Sequence, residues 1–346
     1  MIKNVALVSL SAGTIGEDFV KHEVNIGLKR LEQFGLNVKI MPHAMKGIEY
    51  VKSHPEERAN DLLSAIHDEE VDMILCAIGG DDTYRLLPYL FENNELKDAI
   101  EKAGKRKVFL GFSDTTMNHL MLHKVGLDTF YGQSFLADIC EMEDDMLPYT
   151  KKFFEELIKT GGIKEIAPSD VWCEERTDWS ESAVGTERIK HDNEGFQLLQ
   201  GEPVFTGEIL GGCLESMYDI FDNTRYSDTV SLCEKYCLFP DLEDWRGKIL
   251  LLETCEEQPK PDLYRKMLLT LKETGIFDVV SGVICGKPMD ELYFDEYKKI
   301  IVDVIDNPKL PVVANINVGH ATPRCIIPFG VEAEVDAVNQ RIRFAR

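Results

Sequence analysis

The chain has 346 residues, with 38 Lys and Arg against 61 Asp and Glu, for a formal net charge of −23 at pH 7. A surface this acidic repels nucleic-acid phosphates and anionic lipid headgroups and argues against both as partners, although a local pocket can still hold a small anion. The 44% apolar fraction is that of a globular chain with a sizeable core, and no apolar run reaches the roughly 18 to 20 residues of a membrane span.

The N-terminal run NVALVSL is too short for a signal-peptide core and reads as a first strand over residues 5–10. Val20, Val24, Leu28 and Leu31 then recur at helical spacing. A second strand follows at 38–41, and Pro55 opens a helix carrying Leu62, Leu63 and Ile66. A third strand, 71–78, runs into Gly79-Gly80, and a fourth, 108–112, feeds a short helix over 115–123. Apolar strands alternating with helices predict a doubly wound parallel sheet covered on both faces, with ligands at the carboxyl ends of its strands. A helix over 149–159 ends at Gly161-Gly162. Residues 174–193 are polar apart from Trp179 and read as a long loop over a domain junction. Strands are expected at 207–210, 248–252, 279–285 and 312–314, helices at 261–273 and 291–305, and a terminal hairpin from the alternation of Val331, Ala333 and Val335 with Ile342 and Phe344. Nine cysteines without a C-x-x-C pair predict free, buried thiols in a reducing compartment, hence a cytoplasmic protein.

Four motifs could carry chemistry. Gly111-Phe112-Ser113-Asp114 joins a strand to a helix, where a serine either caps the helix or projects its hydroxyl as a nucleophile elbow. Gly79-Gly80 at a strand end can turn N–H groups toward a negative oxygen, or simply make a turn capped by Asp82. Glu253 ends an all-apolar strand, where a carboxylate needs a partner such as a histidine; Glu256 and Glu257 continue into a polar turn and read as solvated. His320 lies among small residues just past the strand at 312–314. His119 and His123 stand at i, i+4 but lack the glutamate of H-E-x-x-H, so no metal site is assigned. Ser11 to Gly16 matches neither Rossmann nor Walker spacing, which leaves a non-catalytic nucleotide- or metabolite-binding module as an alternative in another class.

Taken in order, Gly79-Gly80, Gly-Phe-Ser-Asp at 111–114, Gly211-Gly212-Cys213-Leu214, Leu252-Glu253, Gly286-Lys287-Pro288 and Gly319-His320 resemble the LD-carboxypeptidase family of serine peptidases, which includes the microcin C self-immunity proteins. The resemblance implies an N-terminal α/β domain (1–160), a connecting segment and substrate loop (161–205) and a C-terminal α+β domain (206–346), with the active site between them. It implies Ser113 as nucleophile, His320 as general base, Glu253 as the residue orienting the imidazole, the N–H groups of Gly80 and Asp114 as oxyanion donors, no metal or cofactor, and a homodimer. The family's Gly-Gly-Asn-Leu is Gly-Gly-Cys-Leu here, which puts Cys213 at a substrate-contacting position. In the microcin-immunity branch a loop like 174–193 supplies an aromatic that stacks on a nucleobase; Trp179 fits that role, while Trp172 reads as packed. The implied substrate is an aminoacyl-nucleotide conjugate, or alternatively a murein tetrapeptide from which D-alanine is released.

Overall fold

Five short parallel strands and one antiparallel edge strand build the first sheet in the computed structural model, which describes residues 1–103 and 107–345. The parallel ones come first in the chain. They are β1 (Asn4–Val8), β2 (Asn37–Ile40), β3 (Met73–Cys76), β4 (Val108–Gly111) and β5 (Phe130–Tyr131), paired in parallel in the order β2-β1-β3-β4-β5. Every residue of β3 and β4 is buried, which is why these segments read as unbroken apolar runs rather than as alternations. The carboxyl ends of β1, β3 and β4 deliver Ser11, Gly79-Gly80 and Ser113 to the same rim of the sheet, as the switch-point rule for open α/β sheets requires.

The second sheet has eight strands. Its parallel centre is β10 (Val204–Cys213), β11 (Ile249–Glu253), β12 (Gly282–Gly286) and β13 (Val312–Ile316). Antiparallel strands flank it: β9 (Gln197–Gln200) beside β13, and β15 (Glu332–Asp336), β16 (Arg341–Phe344) and β6 (Glu165–Ile166) beyond β10. The hairpin expected at the C-terminus is β15–β16. Between these two strand groups β14 (Ile327–Pro328) returns to the first sheet and pairs antiparallel with β5. The segment 161–205 thus supplies β6 and β9 to the second sheet.

Two expectations need correction. β10 runs ten residues, through Gly211-Gly212, where the sequence reading stopped at 210. A Cβ on Gly212 would come within 2.5 Å of Thr116 Oγ1 and 2.8 Å of the Tyr131 ring, so the bare backbone lets β10 pass directly against the first domain. The 174–193 segment is also not loop throughout. Its end, β8 (Lys190–Asp192), pairs with β7 (Val171–Cys173), and Trp172 stacks on His191 across that ribbon with centroids 4.4 Å apart.

Candidate active site

Ser113 leaves β4 through extended Phe112 and enters the helix Thr116–Lys124 with φ of +66°, a left-handed conformation that costs a non-glycine residue about 1 to 3 kcal/mol. Its side chain does not cap the helix. Ser113 Oγ instead lies 3.0 Å from His320 Nε2, and His320 Nδ1 lies 2.7 Å from Glu253 Oε2. Glu253 ends β11 and His320 follows β13, so the serine comes from the first domain and the other two from the second. All three are buried.

Charge at Glu253 is met by three donors. His320 Nδ1–H and its backbone N–H (3.2 Å) reach Oε2, and the Tyr131 hydroxyl donates to Oε1 at 2.6 Å. The same hydroxyl accepts the Ser113 backbone N–H at 3.1 Å, so one phenol ties the elbow to the carboxylate. Burial, then the Glu253 charge, raises the Tyr131 pKa far above the ordinary phenol range and keeps it a donor. The residue has no motif of its own; its signal in the sequence is an aromatic at the carboxyl end of the strand beside the elbow strand.

Gly79 explains why that loop is bare. A Cβ there would stand 2.6 Å from Ser113 Cβ and 2.7 Å from its Oγ. Gly80 lines the pockets beside the hydroxyl together with Ser113. The Asp114 carboxylate faces away from this chemistry: it accepts from Ser11 Oγ (2.5 Å) and the Thr83 N–H (2.9 Å), clamping three strand ends to one another.

The reading of Glu256 as solvated is incomplete. Its side chain is 64% exposed, yet Oε2 reaches 3.1 Å from His320 Nε2, the nitrogen that also faces Ser113. That ion pair exists only while Nε2 carries a proton. With Nδ1–H already given to Glu253, the ring is then an imidazolium. Burial alone would lower the His320 pKa, but Glu253 and Glu256 together hold it well above the ordinary histidine value. The bond to His320, in turn, pulls Glu256 down to about 2.

A cleft of about 530 Å³ opens beside Ser113 and His320, bordered by Phe19, Ile78, Leu136, Trp179, Met289 and Arg324. Trp179 is 41% exposed, donates its indole N–H to Arg176 O at 3.1 Å, and has the Arg188 guanidinium 5.8 Å from its ring centroid. Its loop is held independently of the indole, because Arg176 and Arg188 both pair with buried Glu141, at 2.9 and 2.7 Å. Cys213 is buried, accepts no role as a thiolate, and donates S–H to Glu215 Oε2 at 3.3 Å; burial first, with its acidic neighbours, pushes its pKa well up. His119 and His123 do not share a site: His119 bonds Thr129 Oγ1 (2.7 Å) and Gly111 O (3.1 Å) in the core, while His123 faces Asp244.

A buried serine at a strained strand-to-helix turn, facing a carboxylate-backed histidine across two α/β domains, has the layout of a serine peptidase. The chain belongs to the LD-carboxypeptidase family: the family's N-terminal domain matches residues 5–132 and its C-terminal domain residues 206–335. Among solved structures it is similar to an MccF-like protein from Streptococcus pneumoniae in complex with AMP, at 63% identity and a TM-score of 0.98, covering 100% of this chain and 99% of that one. It is 26% identical over 296 residues to the microcin C7 self-immunity protein MccF of Escherichia coli, covering 83% of this chain and 77% of that protein. It is 25% identical over 324 residues to a probable murein peptide carboxypeptidase of Bacillus subtilis strain 168, covering 92% and 85%.

Proposed function

We propose that this peptidase works through Ser113, His320 and Glu253, and that its substrate is an aminoacyl-nucleotide conjugate cleaved at the acyl bond. The observation that carries the reading is the unbroken chain from Ser113 Oγ through the imidazole to Glu253, with distances of 3.0 and 2.7 Å. Once Nε2 is free of its proton, it takes the one from Ser113 Oγ as the oxygen attacks the acyl carbon. The N–H groups of Gly80 and Asp114 receive the tetrahedral oxyanion, a kind of interaction in which each donor contributes about 2.7 to 4 kcal/mol. The imidazolium then protonates the leaving nitrogen, and a water activated by the same base releases the acyl group. AMP bound to the 63%-identical structure supports a nucleotide as leaving group, and the place of Trp179 on the cleft wall suits it to stack on such a base.

Ser113→Ala is expected to fold, to lose labelling by a fluorophosphonate probe, and to lose turnover of aminoacyl-sulfamoyl adenosines by a factor on the order of 10⁴ to 10⁶. Full activity in that variant would show that another residue is the nucleophile, and unlabelled wild type would favour a non-catalytic binding module. A second reading, release of D-alanine from a murein tetrapeptide, gains support from Arg324, a buried guanidinium on the cleft wall whose Nε faces Asp138 at 3.6 Å and whose charge favours a carboxylate in the cleft. D-alanine release at a much higher kcat/KM than adenylate turnover would establish it. Among the described residues no helix is long and apolar enough to cross a membrane. We place the enzyme in the cytoplasm because eight of its nine cysteines are buried free thiols. We also expect a homodimer, which light scattering would test.

A further inference from the structure

Gly80, Ser113 and Glu256 border a second, smaller recess as well as the cleft. Six carboxylates surround it against one cation, Arg225. Five of the six are engaged. Asp114 holds Ser11 and Thr83, Glu256 faces His320, and Asp219, Glu257 and Asp81 share Arg225 at 3.2, 2.9 and 3.9 Å. Glu215 is the exception. It is 5% exposed, Oε2 receives the weak Cys213 S–H donor, the residue's own backbone N–H helps hold the charge, and Oε1 has no hydrogen-bond partner. A buried carboxylate oxygen left without a donor is costly, so the missing donor is expected from a ligand. The recess offers about 30 Å³, room for one or two water-sized groups, which suits an ammonium better than a ring or a second carboxylate.

We propose that this recess receives the ammonium of a cationic acyl side chain of the lysyl type, with Glu215 as its direct partner, so that the enzyme selects basic acyl groups. The proposal rests on the hydrolase reading above: with the nucleotide toward Trp179, the acyl side chain turns into the space beside Gly80, Ser113 and Asp114. Burial, then the neighbouring Glu253 charge, holds Glu215 up at about 7, and an arriving ammonium would stabilise its ionised form.

The test compares lysyl-, 6-hydroxynorleucyl- and glutamyl-sulfamoyl adenosine as substrates of the wild-type chain, alongside fluorophosphonate labelling of Ser113. The hydroxyl analogue keeps the length of lysine without its charge. Wild type is expected to favour lysyl over hydroxynorleucyl by roughly 10- to 150-fold in kcat/KM, the range of a charge-assisted hydrogen bond, with glutamyl the poorest. Glu215→Gln should bring the lysyl-to-hydroxynorleucyl ratio close to one. A wild-type ratio near one, with Ser113 labelled normally, would mean the recess holds only water and would overturn this proposal while leaving the hydrolase reading intact. An unchanged ratio in Glu215→Gln would likewise overturn the assignment of Glu215. Absence of labelling and of turnover on all three substrates would remove the hydrolase reading and this one with it. Should Glu215→Gln fail to fold, the wild-type ratio alone decides.

Discussion

If His320 is the general base proposed above, the Glu256 charge beside it acts as a brake, and its removal should be readable as a displaced pH profile. At 3.1 Å, unlike unit charges attract by about 1.3 kcal/mol in a water-like dielectric and by about 5 kcal/mol at an effective constant near 20. Because the Glu256 side chain is 64% exposed, the water-like end applies, and about 1.36 kcal/mol corresponds to one pH unit. The sign follows from the role of His320. As a base it is active when neutral, so its raised pKa moves the acid limb of the reaction to higher pH, and loss of the Glu256 charge moves that limb back down. The assay is the rate of fluorophosphonate labelling of Ser113 against pH, which requires no knowledge of the natural substrate. Glu256→Gln should shift the acid limb down by about one unit, raise the rate on that limb up to about tenfold, and leave the plateau and the melting temperature near wild type. A limb that stays in place, or moves to higher pH, would refute the argument that Glu256 holds the imidazolium.

Gly79→Ala forces a methyl group about 0.8 Å inside the 3.4 Å of ordinary contact with Ser113 Cβ, so Ser113 labelling should slow by about 10²-fold while circular dichroism shows a folded chain. Tyr131→Phe removes a donor to buried Glu253 and the acceptor of the Ser113 N–H; labelling should slow by roughly 10-fold or more and the melting temperature should fall, whereas equal activity and stability would deny the phenol its bridging role. Trp179→Ala should raise KM for adenylate analogues by roughly 5- to 150-fold with the melting temperature preserved, since Glu141 and its two arginines hold the loop; equal losses on nucleotide and peptide substrates would end the stacking assignment.

The parallel sheet was legible because β1, β3 and β4 are buried on both faces and so read as apolar runs punctuated by glycine and serine. The same economy exposed Ser113, Glu253 and His320, each a polar residue just where an apolar strand ends. What could not be read depends on contacts across the two domains. Tyr131 and Phe130 look alike in sequence, and only the approach of β11 makes the hydroxyl of one a partner of Glu253. Glu256 sits in a polar run that looks solvated, and only the return of His320 gives it a partner. The strands β6, β8 and β9 are short and half-exposed or, in β8, wholly exposed, so their patterns lack the alternation that marked the terminal hairpin, and Gly211-Gly212 mimicked a strand end where packing against Leu251 and against the first domain required bare backbone.

The placement of β14 has a mechanical consequence. The loop bearing His320 is anchored upstream in β13 of the second sheet and downstream, within a few residues, in β14 of the first. It is therefore a strap stitched to both domains, and the base cannot swing away with one of them. The two halves of the molecule are not separable modules: a fragment ending before β14 would leave β5 with an open edge, a template for pairing with other chains. Shuffling one half between relatives would have to carry the strap and its edge strand along with the acceptor sheet, because the ability to place a base beside the serine is encoded in the same dozen residues that sew the sheets together.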